Sequence, residues 1–215
     1  MLEAKDEFFR GLTERNSHDI SFSEKLKKST VGIAGCGGLG SNVAMSLTRS
    51  GVGRLIIADF DNVVLSNLNR QFFFTNDIGK PKAEALKDNL KKINPYIEII
   101  SHTEKITPEN LTGFFSSAEA IVEAFDDEKE KSMIINSFLD EKTFSEKYLL
   151  CASGLGGIAS ANLIKTIKYS KRIFVSGDFV SSVCGGYGVV SPRVLIAAAH
   201  QANMVIRLLT GEEEP

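Results

Sequence analysis

Gly35, Gly37 and Gly40 form the pattern G-x-G-x-x-G between an apolar segment at residues 30–34 and a segment of helical periodicity at residues 41–50. Glycine at these positions permits a tight turn and lets backbone N–H groups approach a phosphate, and the start of the helix adds positive potential. The pattern therefore predicts that this turn binds the phosphates of a nucleotide. A glycine-rich turn without a ligand is the alternative.

A carboxylate, Asp59, ends the next apolar segment at residues 54–59. An acid at the tip of the second strand of such a unit can accept hydrogen bonds from ribose hydroxyls. Strand, turn, helix and acid together predict a nucleotide-binding unit, but they do not distinguish NAD from ATP.

Two cations, Arg70 and Lys82, follow in a polar region where a dehydrogenase would ordinarily continue its sheet. A triphosphate carries more charge than a helix dipole offsets, and Arg and Lys are the usual counter-charges. Their positions favour ATP, although a Lys or Arg taken alone is more often a solvated surface charge.

Apolar and amphipathic segments alternate along most of the chain. Strands are predicted at residues 30–34, 54–59, 97–100, 120–125 and 148–152, and helices at residues 41–50, 82–93, 109–115 and 129–140. This alternation predicts an α/β fold, namely a Rossmann-like, mostly parallel sheet with helices on both faces. The remaining predicted segments are short antiparallel strands at 162–167 and 172–175, a loop at 176–191 and a helix at 194–209.

The first 29 residues are charged, with scattered apolar positions. They predict an N-terminal helical arm of one or two short helices, packed on the main body or on a second subunit. Residues 30–215 then form the nucleotide-binding domain.

The composition excludes several classes of protein. The formal net charge of −2 does not suggest a nucleic-acid binder, and no apolar run is long enough to span a bilayer. The charged N-terminus has no signal-peptide core, so we expect a cytoplasmic protein without membrane or nucleic-acid partners.

The cysteines Cys36, Cys151 and Cys184 are far apart and offer neither a disulfide framework nor a C-x-x-C zinc pair. Cys36 and Cys151 are interpreted as packing residues. Cys184 lies in the segment rich in Gly and Ser, where it is either a reactive thiol or an unreactive one.

Five stretches in order resemble the ThiF/MoeB/HesA adenylyltransferases, the bacterial relatives of ubiquitin-activating enzymes. They are GCGGLGS at 35–41, DFD at 59–61, SNLNRQ at 66–71, GKPK at 79–82 and NP at 94–95. Residues 192–194 and 200–204 resemble a shorter ThiF subgroup. The resemblance implies ATP-dependent adenylation of the C-terminal glycine of a ubiquitin-like sulfur carrier that ends in Gly-Gly, in thiamine biosynthesis, by a homodimer. A molybdopterin-type or other sulfur carrier is the alternative substrate. Some relatives use a cysteine in a mobile loop to accept the acyl group or sulfur, and Cys184 is the candidate for that role here.

The resemblance also implies roles for individual residues. It places phosphates on the glycine turn, including Gly38, and ribose on Asp59, with charge stabilised by Arg70 and Lys82. Asp126 takes the position of a Mg²⁺ ligand, although it could merely cap the next helix. The other residues implied to bind the nucleotide are Asp61, Asn67 and Gln71.

An N-terminal arginine of such enzymes often enters the active site of the partner subunit. Arg15 is the candidate here, with Arg10 or a plain surface role as alternatives.

The sequence departs from the family at two points. Many relatives carry two C-x-x-C pairs that bind structural zinc; these are missing here, which predicts no zinc. Asp127 stands where relatives have Asn, so its role is open.

Two other functions remain open. One is an NAD-dependent oxidoreductase on the same glycine pattern, and the other is a non-catalytic binding protein. An oxidoreductase lacks a recognisable substrate domain here, and a binding protein has no reason to keep Arg70, Lys82 and Asp126 together.

Overall fold

The computed structural model describes residues 2–16, 19–182 and 187–215. The N-terminal arm consists of helix α1, Leu2–Thr13, and helix α2, Ile20–Lys28. Both helices contact the body of their own chain. A Cβ built on Gly53 would lie 1.8 Å from the carbonyl oxygen of Lys27, so only glycine allows α2 to pack this closely. Leu26 on the same helix is fully buried.

The described residues form a seven-stranded sheet with the order β3-β2-β1-β4-β5-β7-β6. The strands are β1 Thr30–Ala34, β2 Arg54–Ala58, β3 Glu98–His102, β4 Ala120–Glu123, β5 Tyr148–Ala152, β6 Lys165–Lys168 and β7 Ile173–Gly177. All neighbouring pairs are parallel except β6 and β7, which are antiparallel. The predicted mostly parallel sheet with an antiparallel C-terminal portion is confirmed.

Helices cover both faces of this sheet. They are α3 Gly38–Arg49, α4 Lys82–Ile93, α5 Pro108–Phe115, α6 Glu128–Asp140 and α7 Ser191–Thr210. One apolar cluster joins α3, α4 and α7 to one face, and a second joins α5 and α6 to the other. The predicted Rossmann-like layering is therefore confirmed.

Several predicted boundaries were wrong by a few residues. Helix α3 begins at Gly38 instead of residue 41, because the glycine turn itself supplies the first helical turn. Strand β4 ends at Glu123 instead of residue 125, where the Glu123 carboxylate accepts the N–H of Phe125 and turns the chain away from the sheet. Residues 161–163 form a 3₁₀ turn, and helix α7 begins at Ser191 with Pro192 in its first turn.

Among the helices of the described ranges, none combines the length and hydropathy that a bilayer crossing requires.

Candidate functional site

A cleft of about 850 Å³ lies over the carboxyl ends of the strands. It spans the position where β1 and β4 lie side by side, which is the switch point at which open α/β sheets bind ligands. We call the part built by the glycine turn and the ends of β2 and β4 the turn half. The part built by residues 153–156 and 179–182, which follow β5 and β7, is the loop half.

The turn half begins with the glycine turn. Gly35, Gly37 and Gly38 line the cleft, and Gly35 has a φ of 95°, which favours glycine. Gly40 does not line it. A Cβ at Gly40 would lie 1.9 Å from the carbonyl oxygen of Gly35, so this glycine is needed to pack α3 against the turn. The start of α3 thus directs backbone N–H groups towards the cleft.

Asp59 lines the cleft directly beside the glycine turn. Its carboxylate accepts the N–H of Cys36 at 2.7 Å and the N–H of Asp61 at 2.9 Å. Burial raises the pKa of Asp59 above its ordinary value, outweighing the opposing effects of Lys82 and these two hydrogen bonds. Each carboxylate oxygen keeps a second lone pair, which a ribose hydroxyl could use.

The two predicted phosphate-binding cations both reach the cleft. Lys82 is 10% exposed, and its Nζ lies 2.7 Å from Oδ2 of Asp61, a carboxylate that is half exposed. The guanidinium of Arg70 donates to Oδ1 of Asn69 at 2.8 Å. Both cations are thus already oriented by acceptors from the polar segment between β2 and α4.

Gln71 and Asn67, both predicted to bind the nucleotide, have different surroundings. Gln71 lines the cleft, and its buried Oε1 has no hydrogen-bond partner among the described residues. A buried carbonyl oxygen without a hydrogen-bond partner is costly, and a bound ligand that donates a hydrogen bond would satisfy it. The side chain of Asn67 is buried and accepts the N–H of Val64 at 3.0 Å, so it stabilises a 3₁₀ turn and is not among the described lining residues.

Asp126 and Asp127, which follow β4, have different roles. Asp127 caps helix α6 by accepting the N–H groups of Lys129 at 2.8 Å and Glu130 at 3.1 Å. Asp126 is left exposed in the cleft. The capping role considered for Asp126 therefore belongs to Asp127.

Asp126 cannot hold a cation by itself. Within the described ranges, no group of three or more His, Cys, Asp or Glu side chains is close enough to bind a metal ion. A Mg²⁺ ion here would need phosphate oxygens and water to complete its shell, which is how Mg²⁺ usually binds with nucleotides. The residues fit a metal that arrives with its nucleotide.

Sequence analysis missed a buried ion pair behind this loop. Glu123 is 1% exposed and lies 2.8 Å from Nζ of Lys131, which also donates to the carbonyl of Ala152 at 3.3 Å. Burial raises the pKa of Glu123 despite the lysine. The charged end of an otherwise apolar strand was the signal that could have revealed it.

The remaining predicted residues lie elsewhere. Arg15 is exposed in the turn after α1 and is not among the described lining residues, so its action on a partner subunit stays a prediction. Cys184 lies outside the described residues. Cys36 and Cys151 are buried, which raises the pKa of both thiols, as expected of packing residues.

Comparison with known proteins identifies the family. The sequence profile of the ThiF family matches residues 14–215. The chain belongs to the ThiF family.

This ThiF-family chain is similar to two curated proteins named sulfur carrier protein ThiS adenylyltransferase. The Bacillus subtilis protein is 33% identical over 196 residues, which are 90% of this chain and 58% of that protein. The Escherichia coli protein is 32% identical over 197 residues, covering 89% of this chain and 76% of that protein. The chain thus spans little more than half the length of the first and about three quarters of the second.

Among solved structures, the fold resembles that of E. coli tRNA N6-threonylcarbamoyladenosine dehydratase, TcdA, determined with ATP. The TM-score is 0.82 at 19% identity, over 94% of this chain and 93% of that one. This likeness supports the fold.

Proposed function

We propose that this ThiF-family chain uses ATP and Mg²⁺ to adenylate the C-terminal glycine carboxylate of a ubiquitin-like sulfur carrier. The observation that carries the proposal is the convergence of the glycine turn, Arg70, Lys82 and Asp126 on one cleft. The two ThiS adenylyltransferases to which the chain is similar give the reaction class. Thiamine biosynthesis is the pathway that these relatives favour.

In the proposed complex, ATP lies in the turn half. The N–H groups at the start of α3 bind phosphate oxygens and Asp59 binds the ribose. The unpaired Oε1 of Gln71 is an acceptor, so it would pair with a donor of the nucleotide, such as a hydroxyl or amino group, and not with the phosphates. TcdA shares this fold, and its crystal structure is a complex with ATP, which supports ATP as the nucleotide here.

The reaction needs positioning and neutralised charge more than a protein nucleophile. A carboxylate oxygen of the carrier attacks the α-phosphorus, an O–P bond forms, and the bond to the β-phosphate bridging oxygen breaks, so that pyrophosphate leaves with the electron pair. Lys82 and Arg70 stabilise the growing negative charge on the phosphates. Asp126 would hold the Mg²⁺ that comes with the nucleotide, and the ion would supply charge neutralisation for the departing pyrophosphate.

ATP–pyrophosphate exchange with a panel of carriers ending in Gly-Gly tests this proposal. One carrier should support exchange, and the same carrier shortened by its last glycine should not. Arg70→Ala and Asp126→Ala should each reduce exchange about 100-fold or more, because each removes transition-state charge stabilisation. Asp140→Ala, at the exposed far end of α6, is the matched control and should leave exchange unchanged.

Full activity of both site variants would contradict the site assignment. Tight binding of NADH without binding of ATP would favour the oxidoreductase instead, and ATP binding without exchange would favour a non-catalytic binding protein.

Homodimerisation, cytoplasmic location and the absence of zinc are part of the same proposal. Light scattering at micromolar concentration should give the mass of a dimer, and metal analysis of purified protein should find no stoichiometric zinc. If the dimer forms, Arg15→Ala should lower exchange while leaving the dimer mass unchanged. Arg10→Ala should leave both the exchange rate and the dimer mass unchanged.

A further inference from the structure

The loop half of the cleft is organised around a buried ion pair that the proposed chemistry does not use. The Nη2 atom of Arg193 lies 2.5 Å from Oδ2 of Asp178, and both side chains are 4% exposed. The Nη1 atom of Arg193 donates to the carbonyls of Ala159 at 2.6 Å and Ser160 at 3.1 Å. One guanidinium, on the first turn of α7, therefore joins the segment after β5 to the residue that directly follows β7.

The Asp178 carboxylate in turn orders the loop after β7. It accepts the N–H groups of Val180 at 3.0 Å and Ser181 at 2.8 Å, and the hydroxyl of Ser181 at 2.5 Å. Burial alone would raise the pKa of Asp178, but these hydrogen bonds and that from Arg193 hold it well below its usual range. Asp178 is therefore ionised at neutral pH, and its charge fixes residues that line the cleft.

The two loops are also locked to each other by close backbone contact. Asp178 N–H donates to the carbonyl of Gly154 at 3.2 Å, and Phe179 N–H donates to the carbonyl of Ser153 at 3.3 Å. Gly154 has a φ of 80°, and a Cβ there would lie 2.2 Å from Oδ1 of Asp178. Only glycine fits this position, so the carboxylate determines the path of both loops.

The ion pair is linked to the phosphate-binding turn through the next residue of α7. Val194 lines the cleft, and its Cγ1 lies 3.1 Å from the Cβ position of Gly38. The start of α7 thus contacts the glycine turn on one side and holds both loops on the other. A shift of Arg193 would change the distance between the loop half and the phosphates.

We propose that Arg193 is a positioning residue that, through Asp178, sets the loop half to receive an extended Gly-Gly terminus beside the α-phosphate. This inference rests on the proposed function. A diglycine tail has no side chains, so its recognition must come from backbone groups and small residues along a fixed wall. The lining residues Ser153, Gly154, Gly156 and Ser181 provide such a wall.

The test compares two adenosine ligands, of which only one carries an acyl part. AMP occupies the turn half alone, whereas 5′-O-[N-(glycylglycyl)sulfamoyl]adenosine, a stable mimic of a diglycyl adenylate, extends into the loop half. Calorimetric titration of the full chain measures both affinities, without a need to know the carrier. The variants are Arg193→Met, Arg193→Lys and the matched control Arg207→Met, which lies at the far end of α7.

The wild type should bind the mimic more tightly than AMP. Arg193→Met should weaken binding of the mimic by about tenfold or more while AMP affinity changes by less than about twofold. Arg193→Lys should recover part of the loss, because an ammonium can still pair with Asp178 but cannot also reach both carbonyls. Arg207→Met should bind both ligands like the wild type.

Equal loss of AMP and mimic binding in Arg193→Met would overturn the inference, since it would show a general structural role, and so would unchanged binding of the mimic. If Arg193→Met does not fold, Asp178→Asn removes the charge of the ion pair without changing a lining residue and is read by the same criteria. A wild type that binds AMP but shows no preference for the mimic would instead contradict the proposed function.

Discussion

Buried carboxylates occur in both halves of the cleft, but their surroundings act on them in opposite directions. Asp59 and Glu123, beside the glycine turn and behind the Asp126 loop, have pKa values raised by burial. Asp178 in the loop half has its pKa lowered, because hydrogen bonds from Ser181, Val180 and Arg193 outweigh burial. The first two are acids held in low-dielectric surroundings, whereas the third is an anion used as a structural anchor.

The difference shows how each half keeps its shape. The turn half depends on close backbone packing, seen in the 1.9 Å that a Cβ at Gly40 would leave to the Gly35 carbonyl. The loop half has equally close backbone contacts, such as the 1.5 Å that a Cβ at Gly177 would leave to the Ser153 carbonyl, but a salt bridge between separate segments holds it as well. Changes of shape should therefore damage both halves, whereas the loop half should depend on its ion pair in addition.

Gly40→Ala should have the largest effect. The new methyl group would collide with backbone, so we expect a loss of more than about 3 kcal/mol in the free energy of unfolding, together with loss of nucleotide binding. Urea denaturation and calorimetry with ATP measure both. Gly113→Ala in α5 is the matched control: nothing lies within 4 Å of its Cβ, and the change should stabilise the protein by up to about 1 kcal/mol. Normal ATP binding by Gly40→Ala would show that the turn half tolerates changes of shape.

Lys82→Met should have the second largest effect, which is a loss of affinity for ATP. Lys82 is nearly buried and directed at the cleft, so its loss should weaken ATP binding about 10- to 100-fold while AMP, with fewer charges, loses less. Lys80→Met is the control, because that lysine is 48% exposed and pairs with Asp77 outside the cleft lining. Equal losses for ATP and AMP would place Lys82 away from the outer phosphates.

Lys131→Met should destabilise the protein by about 3 kcal/mol, because it leaves the Glu123 carboxylate buried without its partner. Replacing both residues, as Glu123→Gln with Lys131→Met, should recover part of that stability. Urea denaturation at neutral pH checks both variants. A double variant no more stable than the single one would mean that packing, and not the unpaired charge, causes the loss.

The smallest effect is a dependence on pH that differs in sign between the halves. The pKa of Asp178 is lower in the folded protein, so its stabilisation is present above the unfolded value of about 3.9 and is lost as pH falls. Asp178→Asn leaves Arg193 buried without its partner, so it should be about 3 kcal/mol less stable than wild type at pH 6, and this difference should shrink towards pH 3. For Asp59, whose pKa is raised, the stability of the wild type relative to Asp59→Asn should decline as pH rises. Parallel trends in Asp178→Asn and Asp59→Asn would remove the contrast between the halves.

Much of the turn half was predictable because its residues lie in a short, ordered stretch. The glycine pattern and Asp59 belong to one strand–helix–strand unit, and parallel strands bring their carboxyl ends to one edge of the sheet. The role of Asn67 could not be predicted in this way, because a polar side chain near a site can equally form a hydrogen bond within its own turn. The division of roles between Asp126 and Asp127 likewise depended on where α6 begins.

The sequence by itself determined the alternation of strands and helices, the glycine turn and the positions of the two cations, since these follow from local periodicity and local spacing. Only the tertiary structure decided which charges are buried in pairs. Glu123 with Lys131 and Asp178 with Arg193 are 8 and 15 residues apart, and nothing local requires them to meet. Their pairing follows from how loops and helices pack over the sheet, because a buried charge needs a partner wherever the fold can bring one.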